Sequence, residues 1–205
     1  MITAALLAEK IFTALPQTQC TRCGYPDCQA YAQAIAHDGT AINQCSPGGA
    51  EGIDRLSKIT GQTVQPLNPE NGIEGPRSVA FIDENWCIGC TLCVDACPTD
   101  AIVGSNKLMH TVIEPHCTGC ELCLPVCPVD CIELETITPD RTGWAAWSQA
   151  EADHALKRYT IRSDRGNKNA GYKQALPSKT LIKNADSEKS AVIAAALAKA
   201  RAKRN

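Results

Sequence analysis

Twelve of the thirteen cysteines in this 205-residue chain fall into three sets of four. Two sets run in step: Cys87, Cys90, Cys93 and Cys97 before Pro98, then Cys117, Cys120, Cys123 and Cys127 before Pro128. Each reads C-x2-C-x2-C-x3-C-P, and every member of the second lies thirty positions after its counterpart. Three thiolates at that spacing wrap one corner of an iron–sulfur cube, while the fourth points away and reaches the cube of the other run. The predicted ligand sets are therefore crossed: Cys87, Cys90, Cys93 and Cys127 for one [4Fe–4S] cluster, Cys97, Cys117, Cys120 and Cys123 for another. Structural zinc takes four ligands in two separated pairs, which this spacing does not supply. Soft thiolates suit ferric and ferrous iron alike.

The third set, Cys20, Cys23, Cys28 and Cys45, has the different spacing C-x2-C-x4-C-x16-C. With no histidine placed as a fourth ligand, it suits a third cubane or a zinc ion. Cys131 is the thirteenth cysteine; it aligns with Ala101 of the first run and reads as a small core residue. Gly89 and Gly119, each before a second cysteine, let backbone amides turn toward sulfur. Trp86 reads as a packing lid over the first loop. His37, His110, His116 and His154 are scattered without a nucleophile–base pattern, and His116, beside Cys117, is expected to be exposed.

The elements that must hold these ligands follow from periodicity and stop signals. A short amphipathic helix spans Thr3–Leu15 and ends at Pro16; a second spans Gln29–His37 before Gly39; a third runs Ala50–Thr60 to Gly61. Residues 65–77, rich in proline and glycine, read as a linker. Strands are predicted at Val79–Ile82, Ala101–Val103, Thr111–Glu114 and Ile132–Leu134. Helices at Thr91–Ala96 and Glu121–Val126 carry the later cysteines, and a hairpin turns at Gly104-Ser105-Asn106. The fold class is α+β, with modules at 1–64 and 78–135 and a basic extension over 136–205. In that extension Ser148 and Glu151 form a capping box opening a helix to about Tyr159. Residues 161–183 read as flexible and Ser187–Arg204 as an alanine-rich helix.

Thirteen cysteines without a secretory leader pattern lead to the expectation of a reducing, cytoplasmic setting. Aromatics make up only 4 % of the chain, so clusters are expected to supplement a thin core. Met1–Leu156 carries 7 basic and 19 acidic residues, net −12, whereas Lys157–Asn205 carries 13 and 3, net +10. An acidic body with a basic tail suits a redox module that docks on something anionic. No apolar run approaches the roughly 20 residues that cross a bilayer. No nucleotide-binding fingerprint is present, so an independent enzyme is not expected. The tail lacks interleaved aromatics, and nucleic acid is not expected as a partner.

The Cys20-Thr-Arg-Cys23-Gly-Tyr-Pro-Asp-Cys28 run with Cys45, followed by the doubled run, resembles the B subunit of the Rnf-type electron transport complex over about residues 1–135. The doubled run is itself similar to two-cluster bacterial ferredoxins. The resemblance implies three [4Fe–4S] clusters, the first on Cys20, Cys23, Cys28 and Cys45. It also implies a relay between a soluble donor and membrane-bound redox subunits. Members usually start with a hydrophobic anchor; here a short amphipathic helix stands in its place, so peripheral attachment on the cytoplasmic face is expected. Two other classes remain: an iron–sulfur component of a soluble oxidoreductase, and a cluster-stabilised binding or regulatory module.

Overall fold

The computed structural model describes residues 3–175, with the backbone alone for 167–175. Residues up to Arg162 form one compact unit, and Ser163 begins a second. In chain order the elements are α1 (Ala4–Ala14), α2 (Cys28–Asp38), α3 (Gly49–Thr60), β1 (Ser78–Ile82), α4 (Leu92–Ala96), β2 (Ile102–Val103), β3 (Thr111–Val112), β4 (Ile132–Thr136) and α5 (Gln149–Ala175).

The first three helices form where caps and apolar spacing direct them. Thr3 caps α1, Asp27 caps α2 by accepting from the Ala30 amide at 2.7 Å, and Gly39 and Gly61 end α2 and α3 in the left-handed conformation. Their facing sides bury Ile11, Leu15, Tyr31, Ile35, Ile53 and Leu56 in one core. Residues 65–77 contain only the 3-10 turn Pro69–Asn71, and they are tied down. The Asn71 side chain donates to the Arg22 carbonyl, and Glu74 accepts from the Ala50 amide and the Thr142 hydroxyl.

The strands pair across the two cysteine runs. β1 is antiparallel to β4, with Ile82 opposite Ile132, and β2 to β3, with Ile102 opposite Val112. Each pairing is extended by one bond in the same way: Asp83 N–H donates to Cys131 O, and Ile113 N–H donates to Ala101 O. The positive-φ residues repeat as well, at Gly89 and Gly119, Thr91 and Glu121, and Asp100 and Asp130. A second core lies between these strands, built on Val79, Ile82, Ile102 and Ile132 together with buried cysteines.

Three expectations are corrected. Residues 121–126 form turns rather than a helix. In α4 the Asp95 N–H donates to Thr91 O, whereas Pro125, thirty residues on, has no N–H to give Glu121 O. The third strand stops at Val112, because Glu114-Pro115-His116 closes into a 3-10 turn. Residues 161–175 continue α5 rather than forming a flexible segment. The helix expected at Ser187–Arg204 lies outside the described residues.

The capping box forms as expected. Glu151 accepts from the Ser148 amide and hydroxyl, both at 2.7 Å, and the Glu151 amide donates to Ser148 Oγ at 3.2 Å. Sequence reading missed how firmly the chain beyond 135 is attached. Trp144 and Trp147 are buried with Ala152 and Ala155, and Trp147 Nε1 donates to Pro16 O at 2.9 Å. Arg55 lies over the Trp144 ring and Arg77 over the Trp147 ring. Arg158 and Arg162 then clamp the loop after Cys97: Arg158 donates to Thr99 O and Asp100 O, and Arg162 to Asp100 Oδ1 and Asp95 O. Among the described residues no helix is long and apolar enough to cross a membrane.

Candidate metal centres

Three cavities gather the twelve cysteines of the three sets. Site I is lined by Cys20, Cys23, Cys28 and Cys45, site II by Cys87, Cys90, Cys93 and Cys127, and site III by Cys97, Cys117, Cys120 and Cys123. The last cysteine of each doubled run lines the cavity of the other run. Among the described residues no group of three His, Cys, Asp or Glu converges tightly enough for one metal ion.

At site I the loop between α1 and α2 is bent by three non-glycine residues in left-handed backbone, Gln17, Gln19 and Thr21. Each such residue costs on the order of 1–3 kcal/mol, held only where the surroundings over-determine it. Here they do: the buried Gln19 side chain accepts from the Cys28 amide at 2.9 Å and donates to Gln17 Oε1 at 3.0 Å. Gln17 in turn donates to Phe12 O. Tyr31 pins the opposite wall, its hydroxyl donating to Ala41 O at 2.8 Å and accepting from the Gln44 amide at 3.2 Å, next to Cys45. No local spacing marks these glutamines or Tyr31 as part of the site.

At sites II and III amides reach sulfur in matching positions. His110 N–H donates to Cys87 Sγ at 3.3 Å, Ala80 N–H to Cys117 Sγ at 3.4 Å, and Ala101 N–H to Cys97 Sγ at 3.2 Å. Gly89 and Gly119 have a second role besides turning amides. A Cβ on Gly89 would lie 2.6 Å from Leu108 N, and one on Gly119 would strike Ser78 O, so both glycines allow another stretch of backbone close to the ligand loop, the turn at Leu108 for Gly89 and the start of β1 for Gly119.

Burial chiefly pushes several of the thiols up, with repulsion from neighbouring thiolates adding to it: Cys28 and Cys123 to about 12, Cys93 and Cys120 to about 11, and Cys45 well above the usual thiol range. Four thiolates gathered around one cavity repel one another and require a cationic core to hold them. Soft anionic ligands around an apolar space, with amides aimed at sulfur, fit an iron–sulfur cluster better than a compact single ion.

Some side chains sit differently from the sequence expectation. Trp86 is 70 % exposed and is no lid. His116 is half-buried, stacked on His154 of α5 with centroids 5.3 Å apart. Cys131 is buried as expected, yet its Sγ lies 3.5 Å from Cys127 Sγ at the edge of site II. His110, among the scattered histidines, lines site II.

Sites I and III are neighbours. Thr18 lines site I and Thr118 lines site III, and Thr118 Oγ1 donates to Thr18 O at 3.0 Å. Arg22 and Glu121 pair alongside at 2.5 Å. Sites II and III are linked covalently by the segments 93–97 and 123–127.

Two families match the chain: a 4Fe-4S dicluster domain over residues 80–134 and a family described as a putative Fe-S cluster over residues 15–47. Relatives named as the B subunit of an ion-translocating oxidoreductase complex are similar over half to two thirds of the chain. The Azoarcus sp. protein is 59 % identical over 138 residues, 67 % of this chain and 75 % of the relative. The Thiobacillus denitrificans protein is 57 % identical over 107 residues, 52 % of this chain and 57 % of the relative. The Pectobacterium carotovorum protein is 52 % identical over 139 residues, 67 % and 72 % of the two. At 59 % and 52 % identity over 67 % of this chain, the likeness places the chain in the family of ion-translocating oxidoreductase complex B subunits.

Proposed function

We propose that the chain relays electrons through three [4Fe–4S] clusters. Cys20, Cys23, Cys28 and Cys45 hold the first, Cys87, Cys90, Cys93 and Cys127 the second, and Cys97, Cys117, Cys120 and Cys123 the third. Supporting this is one observation above others: each of the three cavities takes four of the twelve cysteines of the three sets, with Cys97 and Cys127 exchanged between runs and Cys131 additional at site II. The paired strands and repeated backbone turns support a duplicated two-cluster ferredoxin unit at 78–135, preceded by a helical module at 1–64 and the linker 65–77, and followed by the extension 136–205.

In spatial order the relay runs between site I and site II through site III. When bound, the clusters supply reversible one-electron chemistry; the chain holds them, excludes water and tunes them through amides. Partners are the other redox subunits of an ion-translocating complex, as the names of the relatives imply. The net +10 of Lys157–Asn205 suits peripheral contact with an anionic membrane on the cytoplasmic face.

The test is metal analysis of the full chain reconstituted without oxygen. About twelve iron and twelve sulfide per chain are expected. About eight of each with one zinc removes site I from the relay.

A further inference from the structure

Sites II and III are built by the same backbone with different side chains at several equivalent positions, each pair thirty residues apart. Site III has Ala80, Thr99, Ala101 and Thr118 where site II has His110, Val129, Cys131 and Ile88, and Gly104, against the His110 ring, is the counterpart of Leu134 of site III. The backbone amides of residues 80 and 110 donate alike, to Cys117 and Cys87. The difference between the two sites therefore lies in the side chains.

His110 is 1 % exposed. Its Nδ1 lies 3.5 Å from Cys93 Sγ and 3.7 Å from Cys87 Sγ. Facing two sulfurs that are anionic when ligated, Nδ1 carries the proton and donates. Nε2 is then a bare acceptor, and it is buried with no partner. An apolar side chain of the same size would fill the space without leaving that acceptor unpaired, so filling does not explain an imidazole. Its room comes from Gly104, since a Cβ there would strike the His110 ring. The small and large partners are swapped between copies: histidine over glycine at site II, alanine beside leucine at site III. Thr99, the polar residue of site III nearest Cys97, commits its hydroxyl to His116 O at 2.8 Å, and it lies 3.8 Å from Cys97 Sγ.

We propose that His110, seated by Gly104, donates a hydrogen bond to the thiolates of site II and holds its cluster at a higher potential than that of site III. A donor aimed at ligand sulfur stabilises the reduced cluster, which carries one more negative charge. Cys131, whose thiol faces Cys127, adds a weaker donor to the same site. The clusters of the doubled unit are then unequal, and site II retains the electron. This rests on the ligand sets proposed above.

The test uses the full chain reconstituted with iron and sulfide, with potentials read by paramagnetic resonance and the site II signal assigned through Cys127→Ala. His110→Ala and His110→Leu are expected to lower the site II potential and leave site III unmoved; His110→Asn, which keeps a donor, recovers part of the shift. With ¹⁵N-histidine labelling, the wild-type site II signal is expected to show coupling to an imidazole nitrogen that His110→Asn loses. An unmoved site II potential in the Ala and Leu variants at full iron content overturns the proposal, as do equal shifts at both sites. Where the variants fail to load, a wild-type site II signal without nitrogen coupling overturns it. Absence of any cluster on the Cys87 set in the wild type overturns the ligand sets as well, and iron analysis separates that outcome from the others.

Discussion

Site I on one side and sites II and III on the other each gather a set of four cysteines, but by opposite means. Sites II and III are set by one backbone pattern repeated thirty residues apart, with the amides of Ala80, Ala101 and His110 from within the same unit doing the orienting. Site I has no repeat. Its loop is bent by strained glutamines, its far wall is fixed by Tyr31, and its base is held by Trp147 from beyond the second module. A site built locally tolerates change in distant parts of the chain; a site built from distant parts registers every loosening of them.

The largest effect that can break this comparison is removal of a crossing cysteine. Cys97→Ala is expected to abolish the site III cluster and spare site II, and Cys127→Ala to do the reverse, read by paramagnetic resonance of the reduced variants. Loss of the cluster belonging to the variant's own run would end the exchange of ligands on which the local half of the comparison depends.

That difference in construction also explains what was legible in the sequence. The helix stops at Gly39 and Gly61, the capping box at Ser148 and Glu151, and the placing of the strands around the doubled run follow from short-range chemistry, and they stand where expected apart from the early end of the third strand at Val112. The grouping of cysteines in the doubled run comes from spacing, since three ligands within seven residues leave little freedom. Gln17, Gln19 and Tyr31 act through partners that only the folded chain brings near. Trp144 and Trp147, close together in a chain with three tryptophans, were a visible sign that residues 143–162 pack rather than trail. Arg158 and Arg162 lie in a stretch whose basic charge suggested a tail, but both are spent on the loop after Cys97. His110 escaped notice because its meaning depends on its copy, Ala80, being different.

Next in size is Tyr31. It is 1 % exposed and hydrogen-bonded at both lone-pair and proton sides. Truncation of such an aromatic costs about 3–5 kcal/mol. Tyr31→Ala is therefore expected to empty site I of iron while sites II and III stay loaded, measured as a fall in iron per chain with the site II and III signals retained. Tyr31→Phe leaves Ala41 O and the Gln44 amide without their partner, at about 1–3 kcal/mol. Equal loss of all three clusters in Tyr31→Ala would show that site I is not set apart in this way.

Glu151 gives a smaller handle on the same distant scaffold. Burial works against its carboxylate, but the Ser148 amide and hydroxyl, with Arg77 and Arg141, bring it below the usual range. A carboxyl depressed by folding contributes stability above its unfolded value, and that stability is lost as pH falls through the folded value. Acidification below about pH 4.5 should thus loosen the start of α5. Glu151→Gln should remove the same contribution at neutral pH, about 1 kcal/mol or less for a carboxylate this exposed to solvent screening. Amide exchange over residues 149–156 measures both, and exchange that ignores both changes would show that the capping box does not hold the extension.

The smallest expected effect tests whether helix matters to the local sites at all. Pro125 occupies the position of Asp95 and removes one helical bond from the second loop, yet both loops present three cysteines to one cavity. Pro125→Ala restores an N–H that can reach Glu121 O, a gain of about 0.5–1.5 kcal/mol. It also frees the unfolded chain, at a cost of about 0.4–1 kcal/mol. The two nearly cancel. The variant is expected to gain a short helical turn in its circular dichroism with cluster content and both potentials unchanged. A shift of the site III potential would mean that the turn of residues 121–126 helps to aim amides at sulfur, and proline would then be a second tuning difference between the two copies rather than a neutral departure from helix.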